Sequence, residues 1–354
     1  MPLSEIPYIR WAKSEICAGD YHLTSSAAPE VDWSELGIDP RDLKLFHYNT
    51  YGEEQMLSDL RQQIPGCEAL IAAGASHAHF CIAAAILRPG DRILFEAPGY
   101  LPLLDSLSML DVEAIRFRRS STEGFALPLE QIEAVASQVQ PRLILLTNLH
   151  NPSGVALTEA EMDGLAGLCE RTGIEVLCDE VYLPYLDPQP TPLHARHPLI
   201  TSVCSFNKSY GLPQIRVGWA QARPELVERA RRIVDATTLH NSCLSDQVAA
   251  LAWPQREKLA ARSRAVAAAG WAVAGPWLEK LPLEYVAPAG GLICFPRVPE
   301  ESFADGEAFR EALLGVGVGV TPGSFFGEPN HVRIGFREAP ERLEETFQRM
   351  ASVF

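Results

Sequence analysis

The sequence is poor in lysine. Lysine and arginine together account for 30 of the 354 residues, and only five of these are lysines. Between Lys44 and Lys258 the single lysine is Lys208, which follows a short apolar run. A charge placed there contributes little to solubility, and burial would favour the neutral amine. Because a neutral amine can attack a carbonyl, Lys208 is a candidate nucleophile.

Other features are also missing. The eight cysteines show no CxxC pair or zinc-like spacing, so we expect reduced thiols in a cytoplasmic protein rather than a disulfide framework. No apolar run approaches the length of a membrane span, and the start MPLSEIPYIRWAKSE lacks the pattern of a signal peptide. A net charge of −15 disfavours nucleic acid or an anionic membrane as the main partner.

Four apolar runs in the middle of the chain each end in a polar or aromatic residue. Helical segments such as TEAEMDGLAGLCERTG separate the runs, which predicts a mostly parallel sheet covered by helices on both faces. In such sheets, ligands bind beyond the carboxyl ends of the strands. The residues at those ends are Tyr100, Asn151, Asp179 and Lys208. We therefore predict that these four side chains meet in one ligand site.

Anion-binding groups accompany Lys208. Arg216 lies eight residues after it, and a guanidinium donates two hydrogen bonds to phosphate, while Ser205 adds a hydroxyl nearby. The turn Gly74-Ala75-Ser76 opens a long apolar helix, whose first N–H groups favour an anion. An amine beside these donors suggests an aldehyde that carries a phosphate. The alternative is a surface lysine and an unrelated salt-bridging arginine.

The stretch SFNKSYGLPQIRVGW resembles the cofactor-lysine signature of the class I and II aminotransferases, pyridoxal 5′-phosphate enzymes of fold type I. HNPSG and DEVY match further family motifs in the expected order. The resemblance implies an α/β fold with a large domain at 41–255, in which helices flank a mostly parallel central sheet and pyridoxal phosphate binds. Residues 1–40 and 256–354 would form a smaller α+β domain with an N-terminal arm.

The resemblance also implies roles for individual residues. Lys208 would bind the cofactor as a Schiff base and then act as general base at the substrate α-carbon. Asp179 would keep the pyridine nitrogen protonated, and Asn151 with Tyr182 would donate to the phenolic oxygen. The other cofactor contacts would come from Tyr100, Ala75, Ser76, Ser205, Arg216 and the neighbouring subunit's Tyr48.

Substrate recognition is implied for Arg333 in HVRIGF, which matches the family's carboxylate-binding arginine and would act with Asn151. An arginine within such a strand is otherwise usually a rim ion pair. For Tyr48, a core or interface aromatic residue is an equal alternative. Because the family places this tyrosine in the partner's site, we expect a homodimer.

Two regions near the site leave questions open. Ala27 and Ala28 precede Pro29 where the family has a glycine, so the shape of the substrate pocket is in doubt. Asp20 and His22 could reach over the site from this arm, although a polar loop pair is more often simply solvated. His77 and His79 are two apart on a predicted helix, which disfavours a metal site and suggests structural roles.

The leading functional hypothesis is an aminotransferase that moves an amino group between an L-amino acid and a 2-oxo acid. The second is another pyridoxal phosphate reaction, such as elimination, cyclisation or oxidation. A cyclising member of the family is similar through KSYGLPQIRVGW, HNPSG, PAGGLICFPR and HVRIGF, which are common family stretches. The third is a sensor like the aminotransferase-like half of some transcription regulators, for whose DNA-binding domain we expect no room here.

Overall fold

The computed structural model describes residues 5–44 and 53–354. The α-helices are α1 (Pro7–Ser14), α2 (Glu53–Gln63), α3 (Ala75–Ile86), α4 (Leu101–Asp105), α5 (Leu129–Val139), α6 (Glu159–Thr172), α7 (Pro224–Thr237), α8 (Cys243–Ala252), α9 (Arg256–Leu278), α10 (Gly306–Gly315) and α11 (Pro340–Ala351). The strands are β1 (Tyr21–His22), β2 (Glu68–Ala72), β3 (Arg92–Ala97), β4 (Glu113–Arg118), β5 (Leu143–Thr147), β6 (Glu175–Asp179), β7 (Ile200–Ser205), β8 (Gly218–Ala222), β9 (Ile293–Cys294), β10 (Val318–Gly319), β11 (Thr321–Pro322) and β12 (Val332–Gly335).

The main sheet of the described residues contains seven strands in the order β2-β8-β7-β6-β5-β3-β4. From β7 to β4 every pairing is parallel, whereas β8 is antiparallel to both of its neighbours. Every residue of β5 and β6 is buried, which explains why these strands appear in the sequence as unbroken apolar runs. The predicted α/β fold with a mostly parallel central sheet is confirmed.

Helices cover both faces of this sheet. On one face α3 and α7 contribute Ile82 and Leu226 to a common apolar core, and on the other α5 and α6 contribute Ile132 and Leu165. All four side chains are buried, so the faces are held by the hydrophobic effect rather than by helix propensity. The sheet is thereby a rigid base for whatever its strand ends carry.

A second group of strands and helices lies outside the main sheet. β11, β12 and β9 form an antiparallel sheet, β1 pairs in parallel with β10, and α9 packs against α11. The division into a domain at 41–255 and a domain at 1–40 plus 256–354 stays a prediction. Within the described ranges, no helix combines the length and apolar character that crossing a membrane requires.

Candidate active site

A cavity of about 200 Å³ lies beyond the carboxyl ends of β5, β6 and β7. Nine of the residues predicted from the sequence line it: Ala75, Ser76, Tyr100, Asn151, Asp179, Tyr182, Ser205, Lys208 and Arg216. The predicted Tyr48 lies outside the described residues. The main sheet thus brings together side chains that are far apart in sequence, because the ends of its parallel strands share one edge.

Lys208 follows β7 and is half-buried. Its Nζ lies 3.2 Å from the Oγ atom of Ser26. Burial, with a smaller contribution from the positive charge of Arg333, lowers the pKa of Lys208 to about 8, although Asp179 opposes the shift. The neutral amine is therefore populated at mildly alkaline pH, as a nucleophile requires.

Asp179 ends β6 with its carboxylate at the cavity. Its Oδ1 accepts a hydrogen bond of 3.0 Å from the Val181 amide, and its Oδ2 lies 3.3 Å from Nε2 of His79. His79, expected to be structural, therefore contacts a residue of the cavity. Its spacing of three from Ser76 on α3 was the available signal, because residues three apart share a helix face.

His77 takes a different course from the same helix. Its Nδ1 accepts from the Ala73 amide at 3.3 Å and its Nε2 lies 3.0 Å from Oγ1 of Thr237. These contacts fasten α3 to the end of α7, away from the cavity lining. The expected structural role fits this position.

The anion-binding end of the cavity is a tight backbone cradle. Gly74 precedes α3 with φ +83°, and a Cβ there would lie 2.7 Å from Nη2 of Arg216. At Gly218, a Cβ would lie 2.5 Å from the Ala75 nitrogen. Only glycine permits this approach, which places a guanidinium beside the start of a helix. Ser205 of β7 pairs with Gly218 of β8 and contributes its hydroxyl to the same cavity.

Arg333 is buried in β12 beside the cavity rather than in its lining. Its Nη1 donates to Oδ1 of Asn151 at 3.0 Å, and its Nη2 donates to the Tyr8 hydroxyl at 3.0 Å and to the Thr24 carbonyl at 3.4 Å. Its Nε has no hydrogen-bond partner among the described residues. A buried guanidinium with an unused donor is suited to an anion.

Tyr182 lines the same cavity as Lys208 and Asn151. The side chain is 3% exposed, and its hydroxyl has no hydrogen bond of acceptable geometry within the described structure. Burial raises the pKa of Tyr182 to about 12, opposed by Arg333 and by the nearby Ser26 hydroxyl. The hydroxyl is thus a protonated donor that lacks an acceptor. Burial likewise raises the pKa of Tyr100.

A buried polar chain fixes the turn that carries Asn151. The Asn151 amide donates to Oγ1 of Thr147 at 2.8 Å, and this hydroxyl donates to Oε1 of Glu96 at 2.6 Å. Glu96 also pairs with Arg119 at 2.9 Å, and both side chains are fully buried. Although Arg119 Nη2 has no partner within the described residues, the other hydrogen bonds of this network hold the turn in place.

The N-terminal segment supplies residues that the sequence analysis missed. Tyr8 on α1 packs edge-on against Tyr100, with ring centroids 5.1 Å apart, and Ser26 lines the cavity. By contrast, Asp20 and His22 do not line it, because Asp20 bonds to the Gly317 carbonyl and His22 belongs to β1. Neither Tyr8 nor Ser26 has a sequence signal, since a tyrosine in an amphipathic helix and a serine in a loop are both commonplace.

A larger cavity of about 310 Å³ lies on the opposite face of the main sheet. Glu180, Cys204 and Trp219 line it. Cys204 directly precedes Ser205 of the first cavity in β7, and successive residues of a strand point to opposite faces of a sheet. None of the predicted site residues that the structure describes is part of this larger cavity. Size alone therefore does not identify the site.

The smaller cavity fits pyridoxal phosphate. The cradle at Gly74 and Gly218 suits a phosphate, and Lys208 supplies an amine whose pKa is lowered toward neutrality. Asp179 suits a protonated ring nitrogen, and Tyr182 offers a buried hydroxyl donor that lacks an acceptor among residues 5–44 and 53–354. Four different groups of this cofactor thus each meet matching chemistry.

Comparison with known proteins extends over most of the chain. A family model described as aminotransferase class I and II matches residues 54–350. Capreomycidine synthase from Streptomyces vinaceus is 29% identical over 348 residues, covering 94% of this chain and 87% of that protein. Asparagine–oxo-acid transaminase from Streptococcus mutans is 25% identical over 295 residues, covering 80% of this chain and 75% of that protein.

A solved structure supports the fold. The crystal structure of a PLP-dependent aminotransferase from Streptococcus suis superposes with a TM-score of 0.90 at 23% identity. The superposition covers 100% of this chain and 98% of that chain. At this identity the likeness establishes the fold alone.

Proposed function

This chain belongs to the class I and II aminotransferase family, and on that premise we propose what each residue of its cavity contributes. The predictions of the family, of an aminotransferase and of pyridoxal 5′-phosphate as its cofactor are confirmed. The protein is thus an enzyme that moves an amino group between an amino acid and a 2-oxo acid. The assignments of residues that follow are our proposal.

The observation that carries the proposal is the meeting of nine predicted residues in one cavity around an amine of lowered pKa. When bound, pyridoxal phosphate supplies an electron sink that stabilises negative charge at the substrate α-carbon. Lys208 would hold the cofactor aldehyde through its amine, and the free amine would move the proton at the substrate α-carbon.

The remaining cofactor contacts follow from the chemistry of the lining. Asp179 holds the proton on the ring nitrogen, and Asn151 with Tyr182 donates to the phenolic oxygen. Tyr100, which lines the cavity, would pack on the ring. The phosphate is held by the cradle and its hydroxyl and guanidinium donors: Ala75, Ser76, Ser205 and Arg216. Tyr48 of a second subunit would complete this set.

Arg333 binds the substrate carboxylate together with Asn151. Its buried Nε lacks a partner in the described part of the chain, and its Nη1 already orients the Asn151 amide oxygen. A carboxylate in the cavity would satisfy the remaining donors and offset the cost of burying the guanidinium. All L-amino acids share this group, so the contact sets the class of substrate and not the side chain.

A homodimer and a cytoplasmic location complete the proposal. Exposed leucines on and beside α8 suit a surface that a second copy covers: Leu239, Leu244 and Leu251. None of the eight cysteines, all of which lie in the described ranges, forms a disulfide, as suits a reducing compartment. Light scattering of the holoenzyme would give twice the mass of the 354-residue chain if the dimer forms.

A second candidate is elimination, cyclisation or oxidation of an amino acid on the same cofactor. The match to capreomycidine synthase over 94% of this chain favours it. The residues of the cavity hold cofactor and carboxylate in both cases, so the product distinguishes the two.

The test follows the cofactor absorbance while the enzyme is incubated with each amino acid in turn. Conversion to the pyridoxamine form with release of an oxo acid is the expected result. Ammonia or a cyclic product with return of the aldehyde form would establish the second candidate. No spectral change with any amine would contradict catalysis and favour a sensor.

Borohydride reduction and peptide mapping test the assignment of the amine. We expect the cofactor on Lys208, and Lys208→Ala should lower turnover by a factor on the order of ten thousand or more. Lys258→Ala is the matched control, because this exposed lysine donates to the Glu35 carbonyl far from the cavity. Cofactor attached to another lysine would overturn the assignment.

A further inference from the structure

The segment that follows β1 is held by backbone hydrogen bonds at two points, Leu23 and Ala28. The Gly335 amide donates to the Leu23 carbonyl at 2.7 Å, and the Ala28 amide donates to the Lys208 carbonyl at 3.0 Å. Ser26 lies between these two anchors and is 4% exposed. The backbone around Ser26 is therefore tied both to β12 and to the residue that carries the amine.

The Ser26 side chain points at two groups of the cavity. Lys208 Nζ donates to Ser26 Oγ at 3.2 Å. The same hydroxyl lies near the Tyr182 hydroxyl, which is buried and makes no hydrogen bond of good geometry to the part of the chain that the structure describes. Ser26 thus stands between the two groups to which the proposed function gives the proton transfer and the phenolic contact.

We propose that Ser26 is a positioning residue that holds the displaced Lys208 amine, next to the Tyr182 hydroxyl, where it can reach the substrate α-carbon. The proposal rests on the function proposed for Lys208. A lysine side chain has four flexible methylene groups, so an amine without a partner can occupy many positions. A hydroxyl both donates and accepts, so it can follow the amine in either protonation state.

The alternative is that Ser26 only fills space in a packed arm. The two roles differ in what a replacement must preserve. A positioning residue needs its hydroxyl, whereas a filler needs only its volume. Ser26→Ala removes the hydroxyl, Ser26→Cys keeps a similar volume but bonds weakly, and Ser26→Thr keeps the hydroxyl.

The first measurement is steady-state turnover of the holoenzyme. We expect Ser26→Ala and Ser26→Cys to lower kcat about tenfold while the amino acid KM changes by less than about threefold, because misplacement of the base weakens the chemical step. Ser26→Thr should recover most of the loss. Ser25→Ala is the matched control, since the Ser25 hydroxyl accepts a long hydrogen bond of 3.4 Å from the Ala27 amide and is not part of the cavity lining.

The second measurement uses the protein without cofactor. The rate at which it takes up pyridoxal phosphate is followed against pH, and its midpoint reports the Lys208 amine. Loss of the acceptor in Ser26→Ala should move this midpoint down by about half a pH unit to one pH unit, because the ammonium form loses a hydrogen bond. The other charged groups that act on the amine stay unchanged: Arg333, Asp179, Arg216 and Arg337.

Wild-type kcat and an unmoved midpoint in Ser26→Ala would overturn the proposal, as would full activity in Ser26→Cys. Melting temperatures of all variants separate these effects from unfolding, and Ser26→Cys decides the question if Ser26→Ala does not fold. Borohydride mapping of Ser26→Ala distinguishes the two levels of failure. Cofactor on Lys208 with unchanged rates rejects only the role of Ser26, whereas cofactor elsewhere rejects the proposed function of Lys208.

Discussion

The two ends of the cavity are built in different ways. The cofactor end collects the last residues of neighbouring strands of the main sheet and the first turn of α3, which packs on that sheet. The substrate end joins α1, the arm and β12, and its central contact links Tyr8 to Arg333 across 325 positions of sequence. One end follows from the order of strands, and the other depends on how distant segments pack.

The electrostatics of the two ends differ as well. At the cofactor end Arg216 is exposed and stands beside backbone N–H groups, so a phosphate there would meet donors that solvent can also reach. At the substrate end Arg333 is 1% exposed and depends on neutral partners. Because an uncompensated buried charge is costly, loss of the anion or of a partner should be felt more strongly at Arg333.

The strongest test compares two adjacent carboxylates on opposite faces of the sheet. Asp179→Asn should lower kcat by a factor on the order of a thousand, because an amide cannot keep a ring nitrogen protonated. Glu180→Gln should leave kcat within about threefold, since Glu180 lies in the other cavity and accepts from the Leu193 amide. Steady-state kinetics at saturating cofactor measure both, and equal losses would contradict the separation of the faces.

Glu180→Gln should nevertheless make the stability of the protein less dependent on pH. Burial raises the pKa of Glu180 to about 7 from an ordinary value of 4.5. The unfolded chain therefore ionises first, and the stability contributed by the protonated carboxyl is lost as pH rises from 4.5 to 7. This amounts to about 3 kcal/mol. Denaturant titrations at both pH values should show that the free energy of unfolding changes less between them in the variant than in the wild-type protein. An equal change in both proteins would refute the titration of a buried Glu180.

The next test replaces each of the two arginines, Arg216 in the cavity lining and Arg333 beside it, with lysine. Arg333→Lys should lower kcat/KM about a hundredfold for every amino acid, because an ammonium lacks the planar fork that a guanidinium presents to a carboxylate, while cofactor affinity stays within about threefold. Arg216→Lys should weaken cofactor binding about tenfold and leave the amino acid KM unchanged at saturating cofactor. Steady-state kinetics and cofactor titration of both variants give the kinetic constants and the cofactor affinity of each.

The comparison of the two ends would fail if both variants affected cofactor and substrate alike. A loss confined to one amino acid in Arg333→Lys would instead show that this arginine contacts a side chain. In that case the common carboxylate would need another partner.

The sequence predicted the cofactor end more completely than the substrate end. Apolar runs in the sequence predict buried parallel strands, and the carboxyl ends of such strands share one edge of the sheet. Asn151, Asp179 and Lys208 could therefore be placed together. The roles assigned to these residues remain predictions. Tyr48 also remains one, since it lies outside the described residues.

The contacts missed at the substrate end and behind Asp179 depend on information that a single sequence does not contain. Ser26 and Tyr8 reach the cavity only because the arm pairs β1 with β10 and α1 packs on Tyr100. For His79, the spacing of three from Ser76 was a signal in the sequence, but which side of α3 meets the sheet was not. Arg333 was found through a motif, yet its hydrogen bonds to Tyr8 and Thr24 follow from packing alone.

The smallest expected effect concerns Tyr8. Tyr8→Phe removes the hydroxyl that accepts from Arg333 Nη2, while the ring keeps its packing against Tyr100 and Phe325. The Thr24 carbonyl at 3.4 Å still accepts from the same nitrogen. Loss of one hydrogen bond to a charged group that retains a partner should raise the amino acid KM about threefold to tenfold with little change in kcat.

Tyr285→Phe is the matched control for this variant, because the Tyr285 ring packs on Trp271 and lies apart from the cavity lining. Its KM should equal that of the wild-type enzyme. An unchanged KM in Tyr8→Phe would mean that the substrate carboxylate displaces the tyrosine hydroxyl from Arg333. A loss as large as that of Arg333→Lys would mean that the hydroxyl itself fixes the guanidinium, and the substrate end would then depend on α1 as strongly as on β12.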